Sequence, residues 1–517
     1  MNFGLRYEFT LPPVAGDDQY EDFSPTTPNP AVNNYPGALI FAGTGAGRQG
    51  VRSLVPGWYG AIGPRVGLAY SINPKTTIRA GFARSFSRVT VVASSSHYSG
   101  FIGQYAFASS NQGITPAFNW DQGLPSYPLP PLIDPTFSNN TNTDYWQGQN
   151  ATRAPESYNW TFSIQRSLTR DTTLEVNYNA TVGAHLQAGM VNINQVPMST
   201  VNSLIDRLGP TQAISLLNSS ITSAAAVSAG IKPPYANFTN PAVQRSQTVN
   251  QALRPFPQYL TIDTSQSGGD KSGHSTYNAL VLKLNHRLGA GLNLQWSYAL
   301  SKLLTDSDTY YANSGFASDN GNRRLEKSIG QYDQTHVLKF NTIYQLPFGK
   351  GQRWMSRGLL SQVIGGWRLG AIQVYGSGLP LAVTRNNPLP IFNGADRPSV
   401  TTYDGWLMPV DGRFDPAKNL YLNIAAFPTQ LPYVIGNQTR FNPKARGFWN
   451  KNENISLSKT FPVKERFKLD FRGEAFNLMN RTIFGNPNAN LNSNAFGQVT
   501  SQSNAPRQMQ LALKLYW

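Results

Sequence analysis

The chain has 517 residues, 40% of them hydrophobic and only 14% charged, and it is rich in Phe, Tyr, Gly and Pro. That mix favours strands and turns over helices, in several ordinary domains or in one very large β-structure. No cysteine is present, which removes disulfides, thiol nucleophiles and thiolate metal sites.

The net charge of +16 is carried by scattered Lys and Arg without a basic run. This excludes a recognisable nucleic-acid module and suits contact with anionic lipid or lipopolysaccharide. No stretch approaches the roughly 18 apolar residues of a membrane-crossing helix, so any crossing must be made with strands.

The first predicted strand begins at once, with Phe3, Leu5, Tyr7 and Phe9 alternating with Gly4, Arg6 and Glu8. No charged start followed by an apolar stretch precedes it, so no export signal is read, and a truncated chain is expected. Val66, Leu68, Tyr70 and Ile72 make the second strand, and Thr77 to Phe86 the third. Trp160 to Leu168 and Leu174 to Tyr178 follow, then Leu280 to Leu284 and Leu292 to Leu300. Weaker strands run from His336 to Gln345 and from Gly366 to Tyr375. Ile455 to Phe461, Phe467 to Phe476 and Met509 to Trp517 close a set of about twelve. Between them, Asn202 to Ser220 has helical character interrupted by Pro210, and is too polar to cross a membrane.

The connections alternate in length. Asn73-Pro74-Lys75, Thr169-Arg170-Asp171, Gly289-Ala290 and Pro462 to Glu465 are short; Pro347 to Ile364 is a medium turn. The segments 11–61, 88–157, 182–274, 303–333 and 379–452 are long. Antiparallel neighbours put successive connections at opposite ends, so one end is expected to carry short turns and the other long loops. Outer-membrane barrels sort their connections this way, with short periplasmic turns and long extracellular loops. Tyr70, Tyr344, Trp367 and Trp517 fall near the short-turn end, and Trp160, Tyr178 and Tyr298 near the other, as two interfacial girdles would.

Alternation alone leaves the direction of the apolar face open. In a soluble sandwich the polar face meets water; in a wide barrel it lines the lumen. On the barrel reading Lys468, Asp470, Arg472 and Glu474 face the lumen. The chain end, with Leu511, Leu513, Leu515 and Trp517 on one face, resembles the terminal strand that the barrel-assembly machinery recognises in outer-membrane proteins.

Several stretches resemble the Oar-like TonB-dependent receptors: Tyr277-Asn278-Ala279-Leu280 with Ser297-Tyr298-Ala299-Leu300-Ser301-Lys302, and Asp333-Gln334-Thr335-His336 followed by Leu346-Pro347-Phe348-Gly349. Gly365-Gly366-Trp367, Phe471-Arg472-Gly473-Glu474-Ala475-Phe476-Asn477 and the segment from Ala505 to Trp517 match as well. The resemblance spans nearly the whole chain. It implies an all-β transmembrane antiparallel barrel of about 22 strands, closed by a plug, that imports a scarce ligand using TonB. The present chain would be the C-terminal part of such a barrel, without plug, TonB box or signal peptide. TonB and a plug are then partners only in a full-length parent.

Other motifs are weak. Gly45-Ala46-Gly47-Arg48-Gln49-Gly50 has the dinucleotide spacing, but Pro56 ends any helix and no acid follows before Asp121, so a glycine loop is expected. His97, His185, His274, His286 and His336 are not paired at ligand spacing, and no Gly-x-Ser-x-Gly elbow occurs. Asp17, Asp18, Glu21 and Asp22 could bind Ca²⁺ but read better as a solvated acidic loop. Asp333 and His336 are expected to bond loop backbone near the rim. Trp120, Tyr145, Trp146, Tyr310 and Tyr311 could stack on sugars or peptides, with loop packing the default. No catalytic residue, metal ligand or cofactor is expected. Two functions fit: outer-membrane ligand uptake, and a soluble or surface-attached β-sandwich adhesin that binds carbohydrate.

Overall fold

A computed structural model describes the chain apart from residues 88–96, 103–104, 110, 112, 146–150, 189–191, 265–270, 289–290, 308–318, 387–396, 430–433 and 463–466. In chain order the strands are β1 (Asn2–Thr10), β2 (Glu21–Asn29), β3 (Tyr35–Phe41), β4 (Trp58–Asn73), β5 (Thr76–Phe86) and β6 (Asn142–Tyr145). β7 (Glu156–Thr169), β8 (Thr172–Leu186), β9 (Thr261–Thr264), β10 (Gly273–Leu288), β11 (Leu292–Thr305) and β12 (Ser328–Ile329) follow. The last are β13 (His336–Gln345), β14 (Trp367–Gly376), β15 (Asn450–Pro462), β16 (Lys468–Phe476) and β17 (Gln508–Tyr516). The longer helices are α1 (Met198–Leu208), α2 (Pro210–Asn218), α3 (Ala224–Ser228), α4 (Val249–Ala252) and α5 (Leu359–Ile364).

One antiparallel sheet runs β1-β4-β5-β7-β8-β10-β11-β13-β14-β15-β16-β17, with β12 beside β11. Each of the twelve predicted strands is in this path, in sequence order. The meander is open, because β1 pairs only β4 and β17 pairs only β16. A sandwich would pack two sheets face to face; the single large sheet in sequence order does not favour that alternative. No helix among the described residues is long and apolar enough to cross a membrane, which leaves strand crossing open.

The register gives the sheet two unlike faces. Directly opposed residues share a face, and the chain of pairs Phe82–Trp160, Phe162–Tyr178, Tyr178–Leu280, Leu282–Tyr298 and Tyr298–Leu338 carries one apolar surface across the strands. It continues through Tyr344–Leu369, Leu369–Leu457, Lys459–Phe471 and Phe471–Leu513. The other face carries Arg79, Gln165, Glu175, Lys283, Gln295, Lys339, Ser458 and Arg472 through the same registers. Many apolar-face side chains lie open: Phe162 is 45% exposed, and Leu280, Leu300 and Leu457 are similar.

Strands run further into the long connections than the alternation shows. β4 starts at Trp58, β8 ends at Leu186 and β15 starts at Asn450. These extensions carry Gly, Thr, Asn and Pro64, because ladder bonds need no apolar side chain once a strand has left the two-faced zone.

Candidate functional site

Two regions can meet a ligand: the polar face of the sheet and the loops stacked at its long-connection end. On β16 the pleat sends Lys468, Asp470, Arg472 and Glu474 to the polar face, while Leu469, Phe471 and Ala475 oppose Leu515, Leu513 and Met509 on the other. Arg472 pairs with Glu474 along the strand, and Gln510 donates to the Glu474 carboxylate from β17. Asp470 stands opposite Lys514. Leu511, Leu513 and Leu515 share the apolar face, and Trp517 lies exposed just beyond β17.

The loops pack into cores of their own. β2 and β3 form a hairpin within the first long connection, and β6 pairs in parallel with β9 across the second and third. Phe23 of the hairpin meets Phe256, Tyr259 and Tyr145 edge-on, at ring-centroid distances of 5.0, 5.3 and 5.9 Å. Helices α1, α2 and α4 bury Val201, Leu204, Leu216 and Val249 against Val32. A further core, built on Trp406, joins Leu381, Leu422 and Phe496. The helical reading of Asn202 to Ser220 holds, with the break at Gly209-Pro210 between α1 and α2.

Buried amides tie these loops together. Asn194 Nδ2 donates to the carbonyls of Phe256 and Tyr259 at 3.0 and 2.9 Å, and its Oδ1 accepts from Phe256 N at 2.8 Å. Gln258 Nε2 crosses to the carbonyls of Pro36 and Gly37 at 2.9 and 2.8 Å. Gln251 Nε2 bonds the carbonyls of Pro257 and Tyr259. An amide offers donors and an acceptor without a charge to desolvate, so it satisfies irregular backbone where a carboxylate would be costly. Sequence reasoning missed these residues; the only available signal was the abundance of Asn and Gln in the long connections.

Ion pairs fasten the loops to the rim. Arg397 pairs with Glu326 at 2.8 Å with both side chains buried, and Arg440 donates to the carbonyls of Glu326 and Thr305. Asp333 accepts from Leu303 N at 2.6 Å and pairs with Arg446 at 2.6 Å. His336 accepts or donates at Tyr298 Oη and stacks on Trp449. Asp333 thus bonds backbone as expected, though of strand β11 rather than of a loop, and the His336 ring bonds a side chain instead of backbone.

A protein of this architecture has a family. Residues 1–510 match the family described as outer membrane beta barrel domain. The chain belongs to that family. Among curated proteins none matched. The barrel domain is similar to the outer membrane transporter YddB from Escherichia coli, with 10% identity and a TM-score of 0.39 over 88% of this chain and 40% of that one. The siderophore receptor PiuA from Acinetobacter baumannii gives 10% and 0.35 over 93% and 39%. The ferripyoverdine receptor of Pseudomonas aeruginosa, bound to ferripyoverdine, gives 10% and 0.35 over 90% and 34%. The chain thus spans about two fifths or less of the length of these structures.

Some expectations about the loops of the barrel domain are corrected. Glu21 and Asp22, read as part of a solvated acidic loop, are 0% and 4% exposed, because they sit in the hairpin under the aromatic core; Asp18 pairs at the surface with Arg52. Tyr145 packs into that core, and Trp120 stays exposed against Phe118. Trp146, Tyr310, Tyr311 and the turn at Gly289-Ala290 lie outside the described residues, as does most of Pro462 to Glu465. The glycine segment is a turn with positive φ at Gly45, Gly47 and Gly50, from which Arg48 reaches back to the carbonyls of Asp18 and Ala42. The fold brings His185 and His274 to a ring-centroid distance of 6.4 Å, a proximity the sequence spacing hides.

Among the cavities of the described residues, two are lined by several Asn side chains. One of about 510 Å³ is lined by Asn202, Asp206, Asp319, Asn322, Leu325 and Asn437, where three long loops meet. A smaller one of about 230 Å³ lies at the polar face, lined by Asn450, Asn452, Asn454, Asn477, Asn504 and Gln508. The Asn and Gln side chains in these walls offer hydrogen-bond donors and acceptors, and the larger cavity adds the carboxylates of Asp206 and Asp319.

The loop assembly is expected to respond to pH at Asp263. Burial, with Asp144 opposite it on β6, raises the Asp263 carboxyl to about 6 from 3.8. The raised carboxyl favours the folded loops below its unfolded value, and that contribution is lost as pH rises through about 6. Burial lowers His97 to about 4 from 6.5, so its contribution is present above 6.5 and lost as pH falls through about 4. Intrinsic-rate-corrected hydrogen exchange at the Ile193 amide, which donates to Ile262 O at 2.8 Å, is expected to rise on the order of tenfold between pH 5 and 7 relative to the same amide in Asp263→Asn, a comparison in which the opposite contribution of His97 cancels. A ratio that stays constant over that range would refute it.

Proposed function

We propose that this barrel domain is the C-terminal part of an Oar-like TonB-dependent transporter, and that the assembled protein takes up a ligand across the outer membrane. The apolar face meets lipid, the polar face with Lys468, Asp470, Arg472 and Glu474 lines the lumen, and the long loops are extracellular. The terminal Leu511, Leu513, Leu515 and Trp517 are the assembly signal read by the barrel-assembly machinery. TonB and a plug complete the machine in the full-length protein, within a barrel of about 22 strands.

One observation supports this reading above the rest: a largely apolar surface runs across the sheet from β1 to β17, and many of its large side chains are exposed. Soluble monomers rarely expose apolar patches beyond a few hundred Å², so a surface of this extent calls for an apolar solvent. A strand carrying four charges on one side is tolerated in a membrane only if that side faces a hydrated lumen or a plug.

The chain has no native cysteine, so single cysteines report cleanly. In the assembled protein, cysteines at 468 and 472 are expected to react with water-soluble thiol reagents, and those at 467, 469 and 471 only with lipid-soluble ones. The reverse pattern would sink the barrel reading. Uptake is tested separately, by comparing gene-deleted and parent cells for accumulation of a panel of iron chelates and oligosaccharides, with and without a protonophore. Unchanged accumulation throughout would overturn transport and leave the barrel standing.

A further inference from the structure

Among the described residues of the short-turn end, the connection between β13 and β14 carries a helix, α5. Phe348 bridges to Trp354, with Gly349 N donating to Trp354 O and Trp354 N to Pro347 O. The segment then turns into α5 and returns to the sheet at Trp367. The crossing is tight: a Cβ on Gly349, whose φ is +101°, would lie 2.4 Å from Gly365 Cα. Only glycine lets the two arms of this turn touch.

Where the turn sits is decided by Lys459. This residue shares the apolar face with Phe461, Phe471 and Trp367, yet it is only 6% exposed. Its ammonium donates to the carbonyls of Gln362 and, at 2.9 Å, Val363, which are free at the C-terminal end of α5. Trp367 Nε1 donates to Val363 O as well, at 2.9 Å. The same ammonium stands 5.6 Å from the Trp367 ring centre and 4.6 Å from that of Phe461. A cation on an apolar face is costly unless it is paired; here helix carbonyls and ring faces take its charge. Lys459 therefore latches the turn against the apolar side of the sheet, at its short-turn margin.

The latched turn presents an amphipathic surface. Leu359 is 83% and Val363 66% exposed, with Trp354 and Met355 also open. Lys350, Arg353 and Arg357 are exposed beside them. No Asp or Glu occurs between Asp333 and Asp396, so nothing acidic neutralises these cations within the segment. Apolar side chains continuous with a lipid-facing surface, ringed by unopposed cations and a Trp, are the composition of an interfacial anchor.

We infer that the turn from Pro347 to Ile364 seats in the periplasmic leaflet of the membrane, with Leu359, Val363 and Trp354 in the acyl boundary and Lys350, Arg353 and Arg357 on anionic phospholipid headgroups. This rests on the barrel orientation proposed above. The occupant is phospholipid rather than a protein partner, because the apolar residues adjoin the lipid-facing strands and the charge is of one sign. Lys459 is the positioning residue that holds the segment at that depth.

The test uses the full protein, extracted and reconstituted into phosphatidylcholine vesicles with or without phosphatidylglycerol. Single cysteines at Val363 and, as a reference for orientation, Leu469 carry an environment-sensitive dye, quenched by lipid-borne nitroxides. Both dyes are expected to be quenched, and phosphatidylglycerol should deepen quenching at 363 alone. Replacing Lys350, Arg353 and Arg357 with Gln should abolish that increment, since each basic residue near an anionic surface changes partitioning about fivefold. Lys459→Met should release the dye at 363 and leave the one at 469 unchanged. Quenching at 469 without quenching at 363 overturns the anchor and keeps the barrel. No quenching at either position overturns both. Quenching at 363 that ignores phosphatidylglycerol overturns the anionic-headgroup contact.

Discussion

Asp333→Ala is expected to destabilise the protein by about 3–5 kcal/mol, the range for removing one partner of a buried, hydrogen-bonded ion pair. Asp333 is almost wholly buried where β11 meets the start of β13. Its carboxylate accepts from Leu303 N, Thr335 Oγ1 and Arg446. Arg446, reaching down from the long loop between β14 and β15, also donates to the carbonyls of Asp333 and Gly378 and to Thr335 Oγ1. Losing the carboxylate strands a guanidinium among carbonyls and frees that loop from the rim. Thermal unfolding in detergent, together with limited proteolysis between residues 377 and 449, measures both consequences. The Asp333→Ala, Arg446→Ala double variant should cost clearly less than the sum of the single variants, since each removes the same pair. Additive losses would mean that the two residues act separately.

Replacing Leu513 and Leu515 with Asp is expected to block membrane assembly while a comparable change on the other face is tolerated. β17 is an edge strand, paired only with β16, and all nine of its residues are exposed. Leu513 and Leu515 oppose Phe471 and Leu469 on the apolar face. Charge facing lipid costs roughly 2–4 kcal/mol at the midplane for a basic residue, less for an acidic one and less again toward the interface, so the block is expected from this cost together with lost recognition of the chain end. Deleting Trp517 tests that second contribution by itself. The readout is the yield of heat-modifiable barrel in the membrane fraction, with Ala512→Asp as the polar-face comparison. A doubly substituted chain that assembles at the wild-type level would mean that this face does not meet lipid.

The sheet was legible because period-two alternation is a local property. A strand with two unlike solvents must alternate, and β13 runs from His336 to Gln345 as the pattern predicts. The sorting of long and short connections was equally legible, since it follows from chain order and antiparallel pairing alone. Pro210 marked the break between α1 and α2 because a proline suits the first turn of a helix and not its interior.

The loops were not legible in this way. The β2–β3 hairpin contains Pro25 and Pro28 and shows no clean alternation, so only its packing against Phe256 and Tyr259 reveals it. β6 and β9 are four residues each and lie far apart in the chain; their parallel pairing exists only once the loops between them have folded. Glu21 and Asp22 have the sequence of a solvated turn and the burial of a core. Lys459 looked like one more scattered cation, and only the fold places helix carbonyls within its reach. Composition and periodicity therefore determine this protein's strands, their order and their two faces, because each depends on the solvent on either side of a single strand. Loop packing, buried amides and the latch at Lys459 were decided by tertiary structure, because they depend on which distant backbone groups are left needing a partner.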